Sequence, residues 1–184
     1  ALRSAIDSGC RVTIATGRQL GPTAPVADTL PVNAPLILCQ GALIQDHRSR
    51  EILYKQTMPV ETARQMIEFA TSTELSFQLH TGTGEVLTGV RNPYVARMDT
   101  ITGVSSRPVS DFGPYLEQPP LKMVFFRHPI DLPELQSQLE SRFGDQLQIV
   151  RSWRSLIEVT DRSVSKAEAA NRLARLLGIE QSET

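Results

Sequence analysis

The sequence predicts an α/β frame interrupted by an inserted α+β block. Three observations predict it. A helix–strand–helix–strand rhythm runs over residues 2–39, the pattern of parallel strands joined by crossovers. The texture changes near residue 55, after which helices alternate with short paired strands up to residue 161. One amphipathic helix, residues 165–177, then returns to the texture of the opening.

Each element follows from local pattern. Residues 2–7 form a helix that Gly9 ends. Residues 12–15 (Val-Thr-Ile-Ala) are rich in β-branched side chains and bounded by turn formers, so they read as a strand. Residues 36–39 read as a second strand, and the stretch around residues 25–30 as the helix between them. Leu43 and Ile44 face residues 52–54 across a polar turn at 47–50, a hairpin. Pro59 precedes a helix whose apolar positions include Ala63, Met66, Ile67 and Ala70. Two short strands, 75–79 and 85–88, are joined through Gly82 and Gly84. Residues 91–120 are rich in Pro, Gly and Ser and give no periodic signal. Residues 121–126 are an apolar strand. Residues 131–143 are a helix in which Asp131 and Glu134 resemble a capping box, with Pro133 in the first turn and Gly144 at the end. Residues 147–150 and 156–160 read as a second hairpin. In the last helix Ser165 and Glu168 form the S-x-x-E box, Ala169, Ala170, Leu173, Ala174, Leu176 and Leu177 make the apolar face, and Gly178 stops it.

Composition narrows the function classes. The 184 residues are 40% hydrophobic and 21% charged, with a formal net charge of -1. No global field or like-charge run favours nucleic acid or an anionic membrane, and no apolar run approaches a membrane span. Cys10 and Cys39 form neither a C-x-x-C pair nor zinc-ligand spacing, and two isolated thiols fit a reducing, cytoplasmic compartment. The chain does not begin with Met and opens inside a helix, which suggests sequence in front of it. No strand follows the last helix, although an alternating α/β chain leads one to expect it.

Three motifs stand where chemistry is expected. Thr16-Gly17-Arg18 directly follows the strand at 12–15. Ligands of open parallel sheets sit beyond the carboxyl ends of strands. There a Thr hydroxyl and a Gly N–H suit an anion, although the tripeptide also reads as a plain strand-to-helix turn. It is not a P-loop, since G-x-x-x-x-G-K-[ST] is absent. Gln40-Gly41-Ala42 repeats the polar-plus-Gly pattern after residues 36–39, or forms a turn into the hairpin. Lys166 sits in the first turn of the last helix, where a cation opposes the helix dipole. That placement makes sense beside a carboxylate or phosphate, or else the side chain is merely solvated.

In order and spacing these motifs resemble the Cof-type phosphatases of the haloacid dehalogenase superfamily. The family's strand-then-A-T-G-R is matched by Ala15-Thr16-Gly17-Arg18. Its N-G-A turn is matched by Gln40-Gly41-Ala42, with Gln for Asn. Its V-S-K-G helix start is matched by Val164-Ser165-Lys166, with Ala167 for Gly. The resemblance implies a partial Rossmann-like core at residues 1–54 and 162–184. It also implies a C2-type α+β cap at residues 55–161. The family's D-x-D-G-T motif, which carries the nucleophilic and acid/base Asp residues, is expected before residue 1. Its G-D-x-x-N-D motif is expected after residue 184.

By that resemblance the intact enzyme hydrolyses phosphate monoesters of small metabolites, sugar phosphates first, through an aspartyl-phosphate and with Mg2+. Thr16, Gly17, Arg18, Gln40, Gly41 and Lys166 are the implied phosphate and substrate ligands, with Thr16 and Lys166 catalytic. His80, Arg91 and Arg97 lie near the loop-rich part of the inserted block; His80 and Arg91 are candidate substrate contacts, or else a satisfied or solvent-facing His and surface Arg. The chain as it stands is expected to be inactive, lacking nucleophile and metal ligands. His47, His80 and His128 show no metal-ligand spacing. Asp161 is a candidate partner for Lys166 or a hinge residue, and Trp153 a packing residue. Two other classes remain open: a non-catalytic ligand-binding or interaction module, and a phosphotransferase on the same fold.

Overall fold

The computed structural model describes residues 1–180. In chain order the elements are α1 (Leu2–Asp7), α2 (Leu20–Thr29), β1 (Leu36–Leu38), β2 (Leu43–Gln45), β3 (Ile52–Lys55), α3 (Val60–Ser72), β4 (Ser76–His80), β5 (Val86–Thr88), α4 (Pro93–Thr102), β6 (Arg107–Pro108), β7 (Lys122–Phe126), α5 (Leu132–Phe143), β8 (Leu147–Trp153), β9 (Leu156–Asp161) and α6 (Lys166–Leu176). The chain divides into two compact units. The first is Ala1–Gln56 with Val164–Thr184, and the second is Thr57–Ser163.

In the first unit, β1, β2 and β3 form an antiparallel meander, with Ile37 opposite Ile44 and Ile44 opposite Tyr54. The expected hairpin of β2 and β3 is present, with a register irregularity between Ile44 and Gln45. The strand expected at residues 12–15 is only an extended segment. It makes one parallel bridge, Ala15 to Ile37, flanked by bonds from the Ile37 N–H to the Ile14 carbonyl and from the Thr16 N–H to the Ile37 carbonyl, both 2.9 Å. Its bridged neighbour, β1, is three residues long and offers too short a ladder for a full strand. Helix α2 starts earlier than expected and carries Pro25 within it. Helix α6 is capped by Ser165, whose Oγ accepts the Glu168 N–H at 3.0 Å. The reciprocal half of the capping box is not seen; the Glu168 carboxylate pairs with Arg175 instead. Ala169 and Leu173 of α6 pack on Ile37 and Ile44.

The second unit is a six-stranded sheet in the order β6-β5-β4-β7-β9-β8. Every pairing is antiparallel except the two-residue β5–β6 contact. Alternation assigns the faces. Phe77, Leu79, Met123, Phe125, Ile157 and Val159 point to the side covered by α3 and α5, where Met66, Ala70, Leu135 and Leu139 complete the main core. Val124, Phe126 and Leu156 point to the other side, where Val95 and Met98 of α4 cover them. One outer edge is β6, two residues ending in Pro108; the other is β8, seven residues ending in the half-exposed Trp153. Asp131 does not cap α5: its backbone (φ -93°, ψ -8°) is already helical, whereas an N-cap needs an extended residue.

Candidate functional site

Three segments of the first unit are laced together. The Gln40 N–H donates to the Thr16 carbonyl at 3.1 Å, and the Cys39 N–H to the Arg18 carbonyl at 3.0 Å. Thr16 Oγ1 accepts the Arg18 N–H at 3.2 Å. That bond holds the side chain in place and uses only an oxygen lone pair, so the hydroxyl hydrogen stays available to a ligand oxygen. Gly17 is half-buried and Arg18 is exposed.

The turn after β1 is strained. Cys39, Gln40 and Gly41 have φ of 51°, 62° and 105°. Left-handed backbone costs an ordinary residue on the order of 1 kcal/mol, so two such residues in a row mark a turn held by its surroundings. Gly41 shows what holds it: a Cβ there would lie 2.3 Å from the Ser165 carbonyl oxygen. The turn therefore lies directly against the start of α6. Lys166 is the first residue of that helix, exposed, and makes no ion pair among the described residues. Thr16, Gln40 and Gly41 thus converge with the segment that carries Lys166. The Thr16 hydroxyl and the N-terminus of α6, on segments brought together by the turn, are groups that suit a small oxyanion.

His80 and Arg91 lie in the second unit. His80 ends β4 opposite Lys122 of β7, is 4% exposed, and neither ring nitrogen has a hydrogen-bond partner. Burial, and then the Lys122 ammonium, hold its imidazole well below the ordinary histidine range. The neutral ring is therefore the folded form. The stability it confers is complete above the unfolded pKa of about 6.5 and falls as the pH drops below that value toward the depressed folded pKa. His80→Leu is expected to remove this component. Urea unfolding from pH 7 to pH 5 should then fall less steeply in the variant than in the parent, by up to about 1.4 kcal/mol per pH unit. Parallel profiles would refute the burial of a neutral ring.

Arg91 is occupied in bracing α4. It lies 3.5 Å from the Asp99 carboxylate and donates to the Ser106 carbonyl at 3.2 Å. Asp99 also accepts from Gln78 Nε2 at 2.7 Å and from Ser106 Oγ at 2.9 Å. Helix α4 itself went unread in the sequence, although Asn92-Pro93 before it and Gly103 after it are start and stop signals. Asn92 Oδ1 accepts the Val95 N–H at 3.0 Å, and Gly103 is left-handed. Also unread was the buried pair Lys122–Glu158, 3.1 Å apart, with side chains 5% and 11% exposed. Its signal was a lone Lys opening an apolar strand.

The remaining candidates are placed as follows. His47 is buried with its Nε2 3.7 Å from the Asp28 carboxylate, and His128 and Arg97 are exposed. Asp161 accepts the N–H and hydroxyl of Ser163. Cys10 is exposed and Cys39 buried, and both are free thiols. Among the described residues, no three His, Cys, Asp or Glu side chains are grouped to hold a metal ion, and no helix is long and apolar enough to cross a membrane.

With this geometry in view, the comparison with known sequences is decisive. The haloacid dehalogenase-like hydrolase family matches residues 1–184. The chain belongs to that family. A candidate phosphatase of Streptococcus pyogenes serotype M6 is 28% identical over 192 residues, spanning all of this chain and 70% of the relative. A haloacid dehalogenase-like hydrolase from Bacteroides thetaiotaomicron superposes with a TM-score of 0.85 at 24% identity, over 99% of this chain and 70% of that one. The subclass IIB sugar phosphatase BT4131 superposes at 0.79 with 20% identity, over 100% and 68%. At these identities the structures establish the fold: a mixed α/β haloacid dehalogenase-like architecture with a Rossmann-like core.

Proposed function

We propose that this family member is a Mg2+-dependent phosphate-monoester hydrolase of the cytoplasm, acting on small phosphorylated metabolites, sugar phosphates first. The second unit is then its C2-type cap, whose role is to choose the leaving group. The observation that carries the reading is the lacing of Thr16, Gln40 and Gly41 against the start of α6.

Each residue has a defined task. Thr16 donates its hydroxyl hydrogen to one phosphoryl oxygen, and the Gly17 N–H approaches a second, the missing side chain giving access. Lys166 and the N-terminus of α6 offset the phosphate charge. Gln40 and Gly41 line the same place, and Arg18 lies at its exposed rim. The accepting Asp carboxylate is assigned to sequence outside residues 1–184, by the family's motif order. Mg2+, when bound, supplies further charge neutralisation. Its ligands are assigned to the same outlying motifs, by the family's motif order.

Two measurements test the reading. Residues 1–184 and a longer form bearing the acidic motifs are assayed on an aryl phosphate with Mg2+. Turnover by the longer form and background from the shorter are expected. Mg2+-dependent turnover by residues 1–184 would displace the nucleophile assignment, and silence from the longer form would favour a non-catalytic binding module. Separately, Lys166→Ala should weaken inorganic phosphate binding to residues 1–184 at least about tenfold, the worth of a charge-assisted hydrogen bond. Unchanged binding in a phosphorus NMR titration would remove Lys166 from the site.

A further inference from the structure

A groove of about 580 Å3 opens in the second unit between the C-terminal part of α3, residues 89–92 and the turn at residues 109–116. That volume is ordinary for a small-molecule site. The groove is built entirely from the second unit and involves none of the residues assigned to phosphate.

Its floor is aromatic. Phe77 and Phe112 pack with ring centroids 5.3 Å apart. Gly89 sits over both: a Cβ there would lie 3.6 Å from the Phe77 ring and 3.8 Å from the Phe112 ring. The missing side chain leaves room for a ligand beside both rings, which are themselves 3% and 8% exposed. At the mouth, Val90 is 70% exposed, an apolar side chain left in water.

Its charge is one-sided. Glu68, Glu74 and Asp111 line it, and among the described residues none of the three makes an ion pair. Arg64, the one lining cation, is 3.6 Å from Glu61, so its charge is already partnered. One carboxylate is held by a backbone N–H, and one stands on a fixed backbone. Asp111 accepts the Gly113 N–H at 2.8 Å, and Glu74 follows the end of α3 in a left-handed conformation with φ 52°. The C-terminal end of α3, negative by its dipole, adds to the same field. Carboxylates beside an apolar floor suit an organic cation, the charge meeting the carboxylates and the apolar body the floor.

We infer that this groove is a second ligand site, and that it takes a small organic cation with an apolar body. An amine on an aromatic or branched aliphatic skeleton fits both halves of it. An anion, including a phosphorylated one, does not.

The test uses residues 1–184 in an amide NMR titration with three probes of one shape: 2-phenylethylamine, 2-phenylethanol and 3-phenylpropanoate. The amine should shift the Gly89, Phe112 and Gly113 amides with a Kd on the order of 1 mM, a fragment-sized affinity. The alcohol should bind about fivefold more weakly, and the carboxylate not measurably. The pair Glu68→Gln with Glu74→Gln should bring the amine down to the alcohol's affinity and leave the alcohol unchanged. Gly89→Ala should weaken both, because its methyl covers the rings at ordinary contact distance without straining the backbone. Equal binding of amine and carboxylate, binding untouched by both variants, or no shift of these amides with the amine would each overturn the inference.

Discussion

Gly41→Ala is expected to destabilise the first unit by about 3–4 kcal/mol. Two costs add. A methyl group would lie 2.3 Å from the Ser165 carbonyl oxygen and 2.7 Å from its carbon, both backbone atoms of a packed helix start. An alanine would also have to hold φ 105°. Gly178→Ala isolates the second cost. Gly178 is also left-handed, at φ 69°, but a Cβ there meets nothing within 4 Å, so that change should cost only about 1 kcal/mol. The two units need not unfold together, so the measurement is amide hydrogen exchange of β1 and α6 rather than one global midpoint. If Gly41→Ala exchanges no faster than Gly178→Ala, the close approach of the turn to Ser165 is wrong. The phosphate site proposed from it then loses its support.

The second large effect is expected at Lys122. Lys122→Met should cost about 3–5 kcal/mol, because it leaves the Glu158 carboxylate buried without its ammonium partner. Lys122→Met combined with Glu158→Leu should recover most of that loss, since buried ion pairs gain little over well-packed apolar side chains of similar size. The two positions lie on adjacent strands, β7 and β9, so the pair can be repacked as a unit. Urea midpoints of the two single variants and the double variant decide it. A double variant no more stable than Lys122→Met would mean that the pair is not the source of the cost.

The parts of the molecule legible in the sequence are those whose signals are local. The Ser165 cap and the apolar face of α6 are written in consecutive residues, and so is the apolar run of β7. The candidate cluster was proposed for a related reason: Thr16-Gly17-Arg18 and Gln40-Gly41 follow short apolar runs, and strand ends are where sheets bind ligands. What was not legible depends on distant partners. Residues 12–15 have strand composition, yet a three-residue neighbour gives them only a bridge. Asp131 and Glu134 have the spacing of a capping box, but the chain enters α5 already in a helical conformation. Residues 91–120 looked irregular because the buried residues of α4 are few: Val95, Met98 and the acidic Asp99. That helix is held as much by Asp99 reaching Gln78 and Ser106 as by apolar contact, and no periodicity scan detects such a network. The clash that requires Gly41 to be glycine involves Ser165, far along the chain, and could not be seen before folding.

The two outer strands of the six-stranded sheet bear on how copies of this protein meet at high concentration. Unpaired strand edges are templates for pairing with another chain. Strand β6 is a poor template, being two residues long and ending in Pro108, which has no N–H to offer. Strand β8 is long enough to serve, although Arg151 and Arg154 place positive charge along and beside it. A sheet with one usable edge can join only a second sheet by the same edge. Such a contact between β8 edges is self-complementary and pairs two copies. Extension of this sheet at its other edge is disfavoured at β6, a strand two residues long that ends in a proline.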